Sequence, residues 1–388
     1  MATTAAVYTK AADSRAAGEH LGAQVAEALH GEPPDALIVF ASSKFDYPVL
    51  LAALSERCRP KVLVGSSSAG EFTGNQRGEG TACALALRAK DMAFNAALGK
   101  GVGSDRAAAA RALCAGFRGL APNEQRSRAA LVMTDALAGH AADLVQELTV
   151  RTSGKYQFAG GGAGDDAQFA RTHVFFGTEA FSDAVVALEI LSDHPLGIGV
   201  GHGWLPASAG LRVTESQGMR LHSLNGVPAI EAFEQHAEAT GQRLDRAAPL
   251  AFFLHNILGI DTGGGNRLRV PLSINADGSV ECAAEVPQGS LVYIMKTTAE
   301  SAVAAAATAT QAAVRALGGG KPGAALFFDC VATRLRMGDV FGFELESVAK
   351  SLLGAEFVGC NTYGQIARAE GQFEGFHNCT AVVMVLPS

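Results

Sequence analysis

Three short stretches hold most of the small polar side chains in this chain that could do chemistry. "VLVGSSSAGEF" (62–72) presents Gly65, then Ser66, Ser67 and Ser68, then Glu71. "FAGGGAGDD" (158–166) and "FVGCNTYGQI" (357–366) have the same form: an apolar run, small residues around a glycine, then an acid or amide. Such a stretch can cradle a phosphate, present a nucleophile or turn a corner. A nucleophile elbow, G-x-S-x-G, fails because the fifth place counted from Gly65 is Ala69. No Walker lysine follows any of the three, and "GIGVGHGW" does not fit G-x-G-x-x-G. "DTGGG" (261–265) is one half of an aspartic-protease pair whose other half is missing, so it reads as a turn. There is no HExxH and no paired-cysteine metal motif. What remains is a set of small-residue loops at strand ends, where open α/β sheets gather ligands. Backbone N–H groups there, with Ser66, Ser67, Ser68, Asn361 and Thr362, are expected to hold a small polar molecule; the plainer reading is that Gly and Ser permit tight turns.

Two histidines add to this set. His202 lies in "GVGHGW", between glycines and beside Trp204, where a flat ligand can approach the backbone. His377 lies in "FHNCT" next to Asn378, just before the last strand, and His255 sits in an apolar run read as a strand. Haem needs an apolar slot and an axial histidine, and His202 is the best candidate, with His255 and His377 as substitutes. An enzyme reading would take Ser67 or Cys360 as nucleophile and His377 as base, but no motif brings such a set together.

The elements that must position these residues repeat. Upstream of each stretch stands a strand ("DALIVFASS", "RAALVMTDALAGH", "GAALFFDCVATR") and then a helix ("YPVLLAALSERC", "AADLVQELTVR", "FGFELESVAKSLLG"). Downstream come further strand-like runs ("TACALALRA", "AVVALEIL", "TAVVMVLPS"). Ala36 to Gly65, Ala130 to Gly160 and Ala325 to Gly359 are separations of 29, 30 and 34 residues. One strand–helix–strand–loop–strand unit used three times explains this order. Ala-rich helices at 104–117 and 300–317, and a helix at 14–30 with Leu21, Val25 and Leu29 on one face, precede the units. The expected fold is α/β, layered, with repeated strand–helix–strand–strand units in two sheet-containing domains flanked by helices, 1–240 and 241–388.

At 388 residues the chain is long enough for two domains, and 48% hydrophobic with 18% charged residues marks it as globular. A net charge of −7 without Lys or Arg clusters argues against nucleic acid. No uninterrupted apolar run reaches a membrane span, and the N-terminus lacks a basic-then-apolar leader. Seven scattered cysteines without CxxC suggest reduced thiols in the cytoplasm.

In order and spacing, "VLVGSSSAGEF", "GIGVGHGWLP" with "RVTESQG" and "NGVPAIEAFE", "FFDCVATR" and "GCNTYGQI…FHNCTAVVMVL" resemble the FIST family. The resemblance implies a sensory, ligand-binding protein of bacterial signal transduction, without catalytic activity of its own. Both stretches follow buried strands and the last strand is expected to bring residues 377 to 380 beside Asn361, so Ser66–Ser68 with Glu71, and Asn361, Thr362 and Gln365 with His377 and Asn378, are expected to line one ligand pocket. Stand-alone members of this length are similar to nitric-oxide sensors that bind haem and act on a histidine kinase or a cyclic-di-GMP enzyme. Gln365 stands where the family usually has Glu.

Overall fold

The computed structural model of the chain describes residues 2–121, 125–369 and 375–388. The repeat is present, and each unit is longer than expected. It starts with an edge strand (Thr3–Thr9, Met92–Lys100 or Gly197–Gly201) and a helix (Ser14–Ala28, Arg106–Ala115 or Ala299–Ala316). A parallel pair follows, joined by a crossover helix: Ala36–Ser42 with Leu63–Ser68, Ser127–Thr134 with Gln157–Gly162, and Pro322–Cys330 with Glu356–Thr362. An antiparallel strand (Ala82–Arg88, Ala184–Ser192 or Ala381–Pro387) then lies between the pair and the edge strand. Runs such as "ALIVFAS" are buried at every position because both sheet faces are covered.

One face of each sheet carries its two helices over its own apolar layer. The other faces meet in a single core, to which Phe40, Met133 and Phe328 come from the three units. Phe40 and Phe328 pack edge to face there, ring centroids 5.6 Å apart.

The units are also interlocked. Glu71–Thr73 leaves the first unit and pairs with Glu356–Thr362 of the third. Val174–Phe176 leaves the second and pairs with Leu63–Ser68 of the first. Gln365–Arg368 leaves the third and pairs with Gln157–Gly162 of the second. Each sheet is completed by its neighbour's strand, around a closed cycle of three.

The glycines explain themselves in this register. Gly65, Gly160 and Gly359 lie inside strands, opposite Val39, Val132 and Phe327, and a Cβ would meet the facing carbonyl oxygens at 1.8, 2.0 and 1.9 Å. The exchanged strands place Phe175, Ile366 and Phe72 against the same three glycines. The expected loops are therefore strand ends; only the turns after them, such as Ala69–Gly70, leave the sheet.

Between Gly201 and Ala299 the chain makes a fourth, nine-stranded sheet with its own core of Leu221, Phe233, Phe253, Leu258 and Ile294. A division at 240 falls at the end of the helix Ala229–Thr240, whose apolar face packs on strands from both sides of that point. The hairpin around Asn275–Gly278 forms as expected. "PLAFFL" is a helical turn, Leu250–Phe253, rather than a strand, which leaves His255 exposed; a short apolar run has no period that separates the two. Among the described residues no helix is long and apolar enough to cross a membrane.

Candidate functional site

The first and third stretches come together, since the Ala69 N–H donates to the Asn361 carbonyl at 3.0 Å and the Asn361 N–H to that of Gly70 at 2.8 Å. Most of their polar side chains, however, bond within the protein, and Ser66 Oγ and Asn361 Nδ2 are the buried exceptions. Ser68 Oγ donates to Glu71 Oε1 at 2.5 Å, while Thr81 donates its hydroxyl (2.6 Å) and its N–H (3.2 Å) to Glu71 Oε2. In the third unit Gln365 Nε2 donates to Thr362 Oγ1 at 2.9 Å and Gln365 Oε1 accepts from the Thr380 N–H at 3.3 Å. Glu71 and Gln365 are the same clamp, joining a strand end to the strand that follows. Ser67 Oγ accepts from the His173 N–H at 2.9 Å, and Ser66 Oγ has no protein partner. Ser66, Ser67, Ser68, Glu71, Asn361, Thr362 and Gln365 are all buried. Burial raises Glu71 to about 7 against its hydrogen bonds from Ser68 and Thr81.

The histidines are engaged as well. His377 Nε2 bonds the Ala367 carbonyl at 3.1 Å, and burial lowers its pKa to about 4, so the ring is neutral at pH 7. Cys360 is buried and its thiol is held well above the ordinary range, so neither it nor Ser67 forms a nucleophile–base pair with His377 in this arrangement. His202 Nε2 bonds the Asn266 carbonyl at 2.9 Å, and Nδ1 accepts the Trp204 N–H at 3.3 Å. Both nitrogens are thus occupied, and the space beside the ring is about 10 Å³, room for about one water. Haem does not fit at His202. Gly203 is small because a Cβ there would stand 2.3 Å from the Ser301 carbonyl oxygen, not because a macrocycle lies against it.

A larger cavity lies elsewhere, between the core units and the fourth sheet, and measures about 270 Å³. One wall is the segment before and into the helix Ala141–Arg151, with His140; another is the fourth sheet, with Val270 and Cys282–Glu285; a third is the turn after Pro322–Cys330. Tyr363, Gly364 and Asn378 complete it. Of the residues expected from sequence to bind ligand, Asn378 alone borders this space; its Oδ1 finds no hydrogen-bond partner in the protein although the residue is buried.

The rim is apolar. Five of the eleven large apolar side chains exposed among the described residues (Leu137, Phe169, Leu250, Leu272 and Leu335) line this cavity. Phe169 stacks on Tyr363 with centroids 4.5 Å apart and an interplanar angle of 16°. Asp165 fixes both, accepting the Tyr363 hydroxyl and the N–H groups of Phe169 (2.8 Å), Ala170 (2.7 Å) and Arg171 (2.8 Å). Asp166, Ala167 and Phe169 all have φ between 55° and 65° or just below, near 54°, a left-handed conformation that costs non-glycine residues about 1–3 kcal/mol each. The second small-residue stretch therefore leads into a strained turn, 166–169, that presents an aromatic ring at a cavity mouth.

At the polar edge His140 Nδ1 meets Glu285 Oε1 at 2.9 Å and Asp143 Oδ2 at 3.8 Å. These donor atoms lie within 4.8 Å of one another, a set that can hold a divalent cation, although Arg106 already pairs with Asp143 at 3.7 Å. Sequence reasoning missed this cavity because its walls come from many separate segments between Ala136 and Asn378. Besides Asn378, a local signal was Tyr363, which lies within "FVGCNTYGQI" among more polar neighbours.

No curated protein matches the chain. Among solved structures, cyanuric acid hydrolase from A. caulinodans aligns over 100% of this chain and 99% of its own at 10% identity, with a TM-score of 0.34. T. maritima PurL complexed with AMPPCP aligns over 100% and 72% at 11% identity and a TM-score of 0.25. The sequence itself matches the FIST N domain over residues 35–227 and the FIST C domain over residues 229–368. FIST domains are sensory domains of signal transduction. The chain belongs to the FIST family, with an N domain followed by a C domain.

Proposed function

We propose that this protein is a sensor whose ligand is a small, mainly apolar molecule held in the 270 Å³ cavity, and not a polar molecule at the serine stretch. The observation that carries this reading is the composition of the cavity and rim: apolar walls drawn from both FIST domains, and a concentration of exposed Leu and Phe at one mouth. Asn378 and the His140–Glu285 pair supply the few polar contacts that orient a ligand. Because both domains contribute walls, occupancy bears on how they pack together. In this reading the signal passes to a separate protein, and a histidine kinase or cyclic-di-GMP enzyme is the partner class that the family resemblance implies.

N-phenyl-1-naphthylamine, an apolar dye that brightens out of water, tests the site. Wild type should bind it with a blue-shifted rise in fluorescence. Ala142→Trp, which adds an indole from a half-buried position on the cavity wall, should abolish the rise while circular dichroism stays native. Equal binding by a folded Ala142→Trp, or no binding by wild type, refutes the assignment.

A further inference from the structure

Two cysteines come together beside the cavity, with Cys330 on its wall and Cys379 outside it. Cys330 ends the strand Pro322–Cys330, and Cys379 stands two residues before the strand Ala381–Pro387. These strands are antiparallel with Phe328 opposite Val382, a register that carries Cys330 to the level of Thr380, beside Cys379. Both are buried, and both belong to one packed cluster with Trp204 and Met295. Cys330 borders the large cavity, as does Asn378 with its unpartnered Oδ1. Cys379 faces the other way, into the small space shared with Asp329, Arg336 and Glu344. It holds φ at 49°, a strained value that the surroundings impose.

We propose that Cys330 is a nucleophilic thiolate opening on the cavity, that Cys379 is its resolving partner, and that the cavity admits an organic hydroperoxide as oxidant. The proposal rests on the cavity being a ligand site, and it adds a covalent outcome to binding. The apolar walls suit the organic group, while the polar floor places the peroxide beside sulfur. The Cys330 thiolate attacks the terminal peroxide oxygen, the O–O bond breaks, and the alkoxide leaves and takes a proton as the alcohol. Cys330 is then a sulfenic acid. The Cys379 sulfur attacks it, the S–O bond breaks, and hydroxide leaves with the thiol proton as water. Two thiols are oxidised to one disulfide as one hydroperoxide is reduced to alcohol and water.

The surroundings divide the roles. The hydrogen bond from Cys379 lowers Cys330 to about 6 despite burial, with further bonds from the backbone of Ala332 and Cys379 and from Gln365. Cys379 is raised by that same hydrogen bond and by burial, which keeps its proton in place until sulfenic acid forms. The charged groups around Cys379 are Asp329, which raises its pKa, and Arg336, which lowers it. Cys282 lines the same cavity, but burial pushes it up to about 12, so the chain carries its own control.

The reduced protein is treated with cumene hydroperoxide and mapped by mass spectrometry without reduction. Wild type should give a peptide pair cross-linked through Cys330 and Cys379. Cys379→Ser should stop at a dimedone-reactive Cys330, Cys330→Ser should leave Cys379 as thiol, and Cys282→Ser should behave as wild type. In the Cys379→Ser protein, Cys330 should react about ten-fold or more faster than Cys282 at pH 7. Naphthylamine binding is measured on the Cys330→Ser protein in parallel. Retained dye binding with no Cys330–Cys379 cross-link in wild type overturns the redox proposal alone; loss of dye binding in wild type as well overturns the ligand site beneath it.

Discussion

Glu71 and Gln365 occupy the same position in two units, and this equivalence makes a quantitative test possible. In Glu71→Gln the new amide should copy the third unit, donating to Ser68 Oγ as Gln365 does to Thr362 and accepting from the Thr81 N–H as Gln365 does from Thr380. What changes is the ionisation. Burial raises the Glu71 carboxyl from 4.5 to about 7 in the folded protein, so the folded state favours the protonated acid. That contribution is fully present below the unfolded value and is lost as pH rises through the folded one. At about 1.4 kcal/mol per pH unit over that interval, wild type should lose roughly 3 kcal/mol that the glutamine variant keeps. Urea unfolding of both proteins at half-unit steps from pH 4.5 to 8 measures it. The stability difference should move steadily in favour of Glu71→Gln and level off above pH 7. Parallel curves, or a difference that moves the other way, would refute the reasoning that burial outweighs the three hydrogen bonds to the carboxylate.

Phe72 is buried against Gly359, Phe327 and Phe341, so Phe72→Ala should cost about 3–5 kcal/mol, and calorimetry should find one lowered transition rather than a separate early one. Gly359→Ala puts a Cβ 1.9 Å from the Phe327 carbonyl oxygen and should leave little folded protein in a soluble-expression assay. After incubation with haem, His202→Ala and wild type should have the same Soret absorbance, because His202 Nε2 and Nδ1 are both held by backbone.

The repeat was legible because each unit's strands and helices differ in length and period, and because a glycine recurs at one point of each. Its meaning was not. A glycine forced by a facing carbonyl and a glycine freeing a turn look alike in one dimension, so strand residues such as Ser66 and Cys360 were read as loops. The exchanged strands, Glu71–Thr73 and Val174–Phe176, are three residues each, too short for any period. Glu71, Thr362 and Gln365 stand out in the sequence as polar residues, but Glu71 bonds Ser68 and Thr81 while Thr362 and Gln365 bond each other, which spacing alone does not reveal. The cavity was hidden for the opposite reason: Leu137, Phe169 and Leu335 are ordinary apolar residues whose unusual property is exposure, and exposure belongs to the fold.

The closed exchange of strands also bears on ancestry. If one unit were a separate chain, its sheet would lack the strand it receives, and its own short strand would have no sheet to join. Joined in this one direction, two copies leave one strand and one vacancy unmatched and a line of copies never ends, whereas three in a ring pair every exchanged strand. The chain has the geometry of a strand-swapped homotrimer whose subunits have been fused end to end. Fusion fixes the copy number and removes the concentration dependence of assembly. It also frees each unit to diverge, which is how one third of the ring could gain a ninety-odd-residue sheet between Gly201 and Ala299 without opening the circle.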